Sequence, residues 1–478
     1  MNLPAEFLCR MKKMLGESFR DFLAAADEKA VRGLHVNTLK MSPDKFESIA
    51  NFRYDKIPYV YGGYTFDFDG IGRSPLHHSG AVYVQEPAAM AVVESIDIKS
   101  DFNILDMCAA PGGKSLQAAA KNTDGVIVSN EFVPGRAQIL MQNIERLGVR
   151  NSIVISCDSA DVADFYPETF DITLVDAPCS GEGMMRKSEA AISDWSRENI
   201  ELCAKRQRYI LENAATTVKD GGYLLYSTCT YSLEENEMVV DGFLSLHPEF
   251  SLADIKPAVR AHSADGIEFE GCICGELCKC RRFYAGINAG EGQFVALMRK
   301  RVSEIAKDNV NDNVKKDVSG RGRTFCKVKS LSGSKRSEEE QNKGAAHDFI
   351  CENIRDFDFE RYNLVVRPDG IYISPNFRIP EAGVISYGVK LGEVRNGRII
   401  PHHRFFMAFG TDFMRKIDLA DTDTFDEKVA EKYIHGETVS FDGEDGFYAV
   451  MWHKATLGGG KVSGGVLKNY YPKGLRNP

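Results

Sequence analysis

Two cysteines in similar settings are the most chemically pointed residues of this chain. One lies in Asp176-Ala-Pro-Cys-Ser-Gly-Glu-Gly-Met184, the other in Ser227-Thr-Cys-Thr-Tyr231. Each segment follows an apolar run, 170–175 or 222–226, that reads as a buried parallel strand. Cys179 and Cys229 are therefore expected at carboxyl ends of strands, the edge where open α/β sheets bind ligands. A thiolate there can add covalently to a substrate, a pyrimidine ring among the candidates, that needs activation before it reacts. The commonest fate of a lone cysteine is a buried, inert thiol. Two of them at one ligand edge argue against it.

A second segment, Asn103-Ile-Leu-Asp-Met-Cys-Ala-Ala-Pro-Gly-Gly-Lys114, reads as a strand, a tight loop and the start of a helix. Gly112 and Gly113 let the backbone approach a ligand where a Cβ would clash. The helix N-terminus beyond them offers unpaired N–H groups. Carboxylates follow at successive strand ends. Glu131 is suited to ribose hydroxyls and Asp158 to an adenine amino group, and Asp176 closes the series. Neither the Gly-x-Gly-x-x-Gly dinucleotide pattern nor a phosphate loop is present. A nucleoside cofactor without a phosphate clamp points to S-adenosyl-L-methionine.

These residues need a scaffold, and the sequence supplies one. Strand patterns at 103–106, 125–129, 152–156, 172–175, 222–226 and 293–298 alternate with helical patterns such as 134–147 and 200–218. The alternation predicts an α/β fold, a doubly wound Rossmann-like domain over 85–301 with its last strand antiparallel at an edge. Residues 1–84 read as a small N-terminal α+β domain whose helix covers 4–27. Residues 302–345 are Lys-, Ser-, Gly- and Asn-rich and read as a flexible linker. Residues 346–478 return to short aromatic strands and Gly turns, a mostly β module.

Composition sets the outer limits. At 478 residues, several domains are expected. A hydrophobic fraction of 43% and a charged fraction of 27% fit a globular chain. No stretch is apolar enough to span a bilayer and the start lacks a signal-peptide pattern, so a cytoplasmic protein is expected. The net charge of -9 disfavours nonspecific nucleic-acid binding but leaves room for a local basic face. Lys454, Lys461, Lys468, Lys473 and Arg476, interleaved with Tyr470 and Tyr471, are such a face. Cys272, Cys274, Cys278 and Cys280 form two Cys-x-Cys pairs, tighter than the usual zinc spacing, and no metal site is assigned to them.

With these segments assembled, the chain resembles the Sun-type RNA (cytosine-5)-methyltransferases. The shared motifs are Asp106-Met-Cys-Ala-Ala-Pro-Gly-Gly-Lys114, Asp176-Ala-Pro-Cys-Ser-Gly-Glu-Gly183 and Ser227-Thr-Cys-Thr-Tyr-Ser232. Within the family it is most similar to the bacterial RsmF (YebU) type, which acts on 16S ribosomal RNA. That likeness rests on Arg32-Gly-Leu-His-Val-Asn-Thr-Leu-Lys40, Gln85-Glu-Pro-Ala-Ala89 and the ending Leu467-Lys-Asn-Tyr-Tyr-Pro-Lys-Gly-Leu-Arg476, which resembles a PUA-like RNA-binding domain.

The resemblance implies roles. Cys108, Ala109, Ala110, Pro111, Gly112, Gly113 and Lys114 would contact S-adenosyl-L-methionine, with Glu131 at its ribose, Asp158 at its adenine and Asp176 at the reacting end. Cys229 would be the nucleophile and Cys179 would assist product release. Position alone does not separate the two thiols: Pro-Cys is the nucleophile context of DNA cytosine methyltransferases, Thr-Cys-Thr that of the RNA family. The implied partner is ribosomal RNA within the small subunit, with no obligate protein partner. A transfer-RNA methyltransferase and an inactive RNA-binding ribosome-assembly factor are the alternatives. One family segment departs: Arg282-Phe-Tyr-Ala-Gly-Ile-Asn-Ala-Gly-Glu-Gly-Gln-Phe294 lacks the family's Pro and both His.

Overall fold

Five parallel strands form the centre of the molecule. They are β1 (Ile104–Asp106), β2 (Ile127–Asn130), β3 (Ser152–Ile155), β4 (Phe170–Asp176) and β5 (Val218–Thr228), in spatial order β3-β2-β1-β4-β5. The computed structural model describes residues 3–302, 333–426 and 428–476. Strands β1, β2 and β3 are buried along their whole length, as the near-continuous apolar sequence requires of a parallel sheet covered on both faces. Two cores result. Leu116, Leu140 and Ile144 pack in one, and Val162, Leu211 and Ala214 in the other. The strand order reverses between β1 and β4, which opens a crevice outside their carboxyl ends.

Strand β6 (Gln293–Lys300) runs antiparallel beside β5, as the sequence suggests. It is not the edge, however. Arg281–Phe283 and then Ala264–Asp265 add outside it. These strands are two or three residues long, too short to show a period in the sequence.

The far edge is also covered, by the C-terminal region. Val384–Ser386 pairs antiparallel with β3, and the Ser156 N–H donates to the Gly383 carbonyl at 2.7 Å. Phe377 stacks on Tyr166 at 5.9 Å beneath that edge. The rest of the region holds a four-stranded sheet over Tyr362–Pro401 and a five-stranded sheet over Lys416–Asn469.

At the N-terminus, helices Ala5–Leu15 and Phe19–Ala25 replace the single helix expected over 4–27. Gly16, at φ 55°, interrupts it. A four-stranded antiparallel sheet follows, giving an α+β unit.

Residues 303–332, most of the segment expected to be a flexible linker, lie outside the described residues. The end of that segment is not a linker: Gly333–Asn353 is a helix. Ala346, Phe349 and Ile350, at helical spacing, are buried in the C-terminal core, and Phe349 meets Phe405 and Phe447 at 5.9 and 5.5 Å. That apolar stripe outweighs the polar composition of the preceding turns. A second correction concerns Tyr471. It is 3% exposed and shares a 2.6 Å hydrogen bond with His78 Nδ1 of the N-terminal unit, so it is a packing residue and not a platform for bases. Among the described residues no helix is long and apolar enough to cross a membrane.

Candidate active site

Strands β4 and β5 pair in register, Asp176 opposite Ser227, so the loops beyond them leave the sheet side by side. This brings Cys179 Sγ within 3.2 Å of Cys229 Sγ. The Gly183 N–H donates to the Cys229 carbonyl at 2.9 Å and ties the loops together. Only glycine fits there, because a Cβ on Gly183 would stand 2.6 Å from the Cα of Gly292.

Two buried carboxylates brace the loops from below. Glu235 accepts from the Ser180 N–H at 2.9 Å, from the Ser180 hydroxyl and from Gln207 Nε2 at 2.8 Å. Glu182 accepts from Thr230 Oγ1 at 3.0 Å, from the Tyr231 N–H at 3.1 Å and from Trp195 Nε1 at 2.8 Å. Burial raises the pKa of both acids against the pull of these donors. Sequence reasoning missed both as positioning residues. Glu182 stands in a legible Gly-Glu-Gly motif, whereas nothing in its spacing marks Glu235.

Asp176 faces the thiols from the end of β4. Its Oδ1 accepts from Ser227 Oγ at 2.7 Å and its Oδ2 pairs with Lys114 Nζ at 2.8 Å. Burial opposes the charge on Lys114, but Asp176, then Asp106 and Cys229, raise its pKa above the ordinary value. The Cys179 thiol is pushed well up, first by its contact with Cys229 and then by burial, so it stays protonated.

The cofactor loop forms the adjacent wall. Residues Cys108, Ala109, Ala110, Pro111, Gly113 and Lys114 line a cavity of about 220 Å³ together with Asp106, Asp176, Tyr83 and Gln85. Gly112 caps the helix Gly113–Lys121 at φ 116°, a conformation that excludes a Cβ without strain. Glu131 and Asp158 stand further along the same edge, beyond the lining of this cavity. Glu131 is 4% exposed, accepts from the Val133 N–H at 3.0 Å and sits 3.4 Å from Arg136. Asp158 caps the helix Ser159–Phe165.

Asp106 is the residue the sequence reading passed over. It opens the loop motif, is 1% exposed, and accepts from Ser115 Oγ at 2.6 Å through Oδ2, while its buried Oδ1 has no side-chain partner among the described residues. Burial raises its pKa to about 7. The Cys108 thiol is raised well above its ordinary value by burial and then by Asp106, Asp176 and Glu131. The edge is thus rich in negative charge. That suits S-adenosylmethionine, which carries a sulfonium and an ammonium group, and Asp106 Oδ1, with no side-chain partner among the described residues, is an acceptor for such a donor.

The segment that departs from the family is fixed by an ion pair. Arg282, 1% exposed, pairs with Glu237 and donates to the Tyr231 carbonyl at 2.8 Å, just past Cys229. Gln293 is buried there, and its Nε2 has no partner among the described residues. Among the described residues no group of three or more His, Cys, Asp or Glu is placed to hold a metal ion.

A Rossmann-like sheet with a glycine loop, acidic strand ends and two thiols beside the switch point defines an S-adenosylmethionine-dependent methyltransferase, and comparison with known proteins narrows the class. The family model "16S rRNA methyltransferase RsmB/F" matches residues 93–299. The N-terminal domain of 16S rRNA methyltransferase RsmF matches 3–87, and the methyltransferase RsmF PUA domain matches 424–477. The ribosomal RNA small subunit methyltransferase F of Vibrio vulnificus is 30% identical over 99% of this chain and 97% of its own. The protein of the same name from Klebsiella pneumoniae is 30% identical over 99% and 96%. A crystal structure of a methyltransferase homologue from Pyrococcus horikoshii is 28% identical, with a TM-score of 0.54 over 62% of this chain and 94% of that one. This chain belongs to the RsmF group of the RsmB/F family, and it is an S-adenosylmethionine-dependent RNA methyltransferase.

Proposed function

We propose that the protein methylates C5 of a cytosine in ribosomal RNA, in 16S rRNA of the small subunit, through a covalent adduct between Cys229 and C6. C5 of cytosine is too weak a nucleophile to take a methyl group unaided. Addition of the Cys229 thiolate at C6 forms a C–S bond and moves electron density onto C5. S-adenosylmethionine, held by residues 108–114 with Glu131 at the ribose and Asp158 at the adenine, supplies the methyl group as an electrophile. Asp176 would accept from the amino group of the ring and, when carrying or sharing a proton, donate to N3, with Lys114 Nζ 2.8 Å from its Oδ2 to hold it. A base, such as a water molecule at this open edge, then takes the C5 proton, the C5–H electron pair re-forms the C5–C6 double bond, and the C–S bond breaks with its electrons returning to Cys229 as thiolate. The Cys179 S–H, 3.2 Å away, stabilises the departing Cys229 thiolate. The target base must leave its stack to reach this pocket.

The observation that carries this reading is the pair of thiols, fifty residues apart in the chain, brought to 3.2 Å beside a carboxylate–lysine pair. The rRNA substrate is supported by relatives of that name matched along their whole length. Residues 1–84 and 333–478 flank the catalytic unit 85–301 as accessory and RNA-binding parts. The cytoplasm, where thiols stay reduced, is the setting that suits two catalytic cysteines. Bisulfite sequencing of ribosomal and transfer RNA from a strain lacking the gene tests the proposal. Loss of one protected cytosine in 16S rRNA is expected. Loss confined to a transfer RNA would move the substrate, and no loss at all would leave an RNA-binding factor without this activity.

A further inference from the structure

The end of β3 is held unusually firmly for a loop start. Asn130 at the end of β2 accepts from the Cys157 N–H at 3.0 Å and donates to the Cys157 carbonyl at 3.1 Å. Asp158 follows directly. Its Oδ1 accepts two hydrogen bonds, from the Ala160 N–H at 2.9 Å and from the Tyr209 hydroxyl at 3.0 Å. Among the described residues none is made to Oδ2. Tyr209 comes from the helix Arg197–Thr217, and Asn213 one turn on donates to Ser159 Oγ at 2.9 Å, locking that helix to the same turn. The two oxygens of an aspartate exchange by rotation about χ2, a broad and two-fold torsion. Two donors on one oxygen remove that freedom and leave Oδ2 without a hydrogen bond among the described residues.

We infer that Tyr209 is a positioning residue that makes the site read adenine: by holding Asp158 Oδ1, it presents Oδ2 as the acceptor for the 6-amino group of S-adenosylmethionine. The inference deepens the proposed function and rests on its placing of Asp158 at the adenine. A carboxylate oxygen can only accept. A 6-amino purine donates to that oxygen, whereas a 6-oxo purine opposes it with a second acceptor. The contact with Asp158 also raises the pKa of the Tyr209 phenol, which keeps its proton as donor. Tyr209 is 50% exposed, so its hydroxyl can be removed without opening a core.

The experiment is calorimetric titration, without RNA, of wild type, Tyr209→Phe and Asp158→Ala with S-adenosylhomocysteine and its 6-oxo analogue S-inosylhomocysteine. One charge-assisted hydrogen bond predicts that wild type prefers the adenosine form by about tenfold or more. Tyr209→Phe should reduce that preference to about threefold or less, through weaker binding of S-adenosylhomocysteine alone. A merely structural loss would weaken both ligands equally and overturn the inference. So would Tyr209→Phe with the wild-type preference intact; if Asp158→Ala has lost it, the reading of Asp158 survives and only Tyr209 falls. A wild type that binds both forms equally would remove Asp158 from the adenine, and Tyr209 with it.

Discussion

Two groups of cysteines in one chain behave in opposite ways. Cys179 and Cys229 are far apart in sequence, yet adjacent strands in register bring their sulfurs to 3.2 Å within a frame of buried hydrogen bonds. Cys272, Cys274, Cys278 and Cys280 crowd into nine residues of sequence and are held at different depths. Cys272 donates to Asp241 Oδ1, and the Cys274 N–H donates to the same oxygen at 2.7 Å. Cys278 is exposed and Cys280 is buried in the core behind β6. Burial raises the pKa of Cys274 and, further, of Cys280. Short-range spacing groups the second set in the sequence. Strand register, which no local window contains, made the first one.

The contrast can be broken most directly at Cys229. Cys229→Ala should lower methyl transfer by more than about 10³-fold while calorimetry finds cofactor affinity within about twofold, as expected when a covalent nucleophile is lost and its scaffold kept. Turnover near wild type would shift the nucleophile to Cys179. Next in size, Cys179→Ala should slow turnover by about 10- to 100-fold, within the ordinary range for a group that assists bond cleavage. A denaturing gel should then show more RNA-linked protein than wild type; adduct from Cys229→Ala instead would reverse the roles.

A pH test reports on the charge stored at the catalytic edge. The folded pKa of Asp106, about 7, lies above its ordinary 3.8. The fold therefore binds the proton more tightly than the unfolded chain, and stability falls as pH rises between those values. Asp106→Asn removes that slope. Its stability relative to wild type should rise by about 2–3 kcal/mol from pH 5 to pH 8, read from urea unfolding. A pH-independent difference would mean that Asp106 titrates normally.

The smallest effect is expected in the loop. Replacing Cys272, Cys274 and Cys278 by Ser and Cys280 by Ala should leave turnover within about twofold and cost about 1–2 kcal/mol of stability, the ordinary range for trimming a buried side chain. A large loss of activity, or bound zinc that disappears with the substitutions, would make the loop a second centre and erase the contrast.

The sequence made the catalytic edge legible because each part there is local. A strand run, a glycine pair and an acidic residue at the strand end fall within one window, as at 103–114 and at Glu131. What escaped depends on distant partners. Val384–Ser386 is three residues long and becomes a strand only because β3 offers it an open edge. Tyr471 sits in a run of cations that reads as surface, and only its contact with His78 puts it inside. Glu235 acts through Ser180 and Gln207, each more than twenty-five positions away. Composition alone placed residues 333–345 in a linker, while the apolar stripe that makes them helical begins after them.

The strand at Val384–Ser386 also sets a schedule. On the ribosome β3 emerges long before the segment that covers it, some tens of seconds earlier at ordinary elongation rates. In that interval the sheet already has its thiols but shows an unpaired flank, the kind of surface on which growing chains stick to one another. The last fifth of the protein is then the closing piece of the central sheet. A product stalled or truncated before residue 384 would carry every residue proposed for catalysis and still lack the piece that seals the sheet.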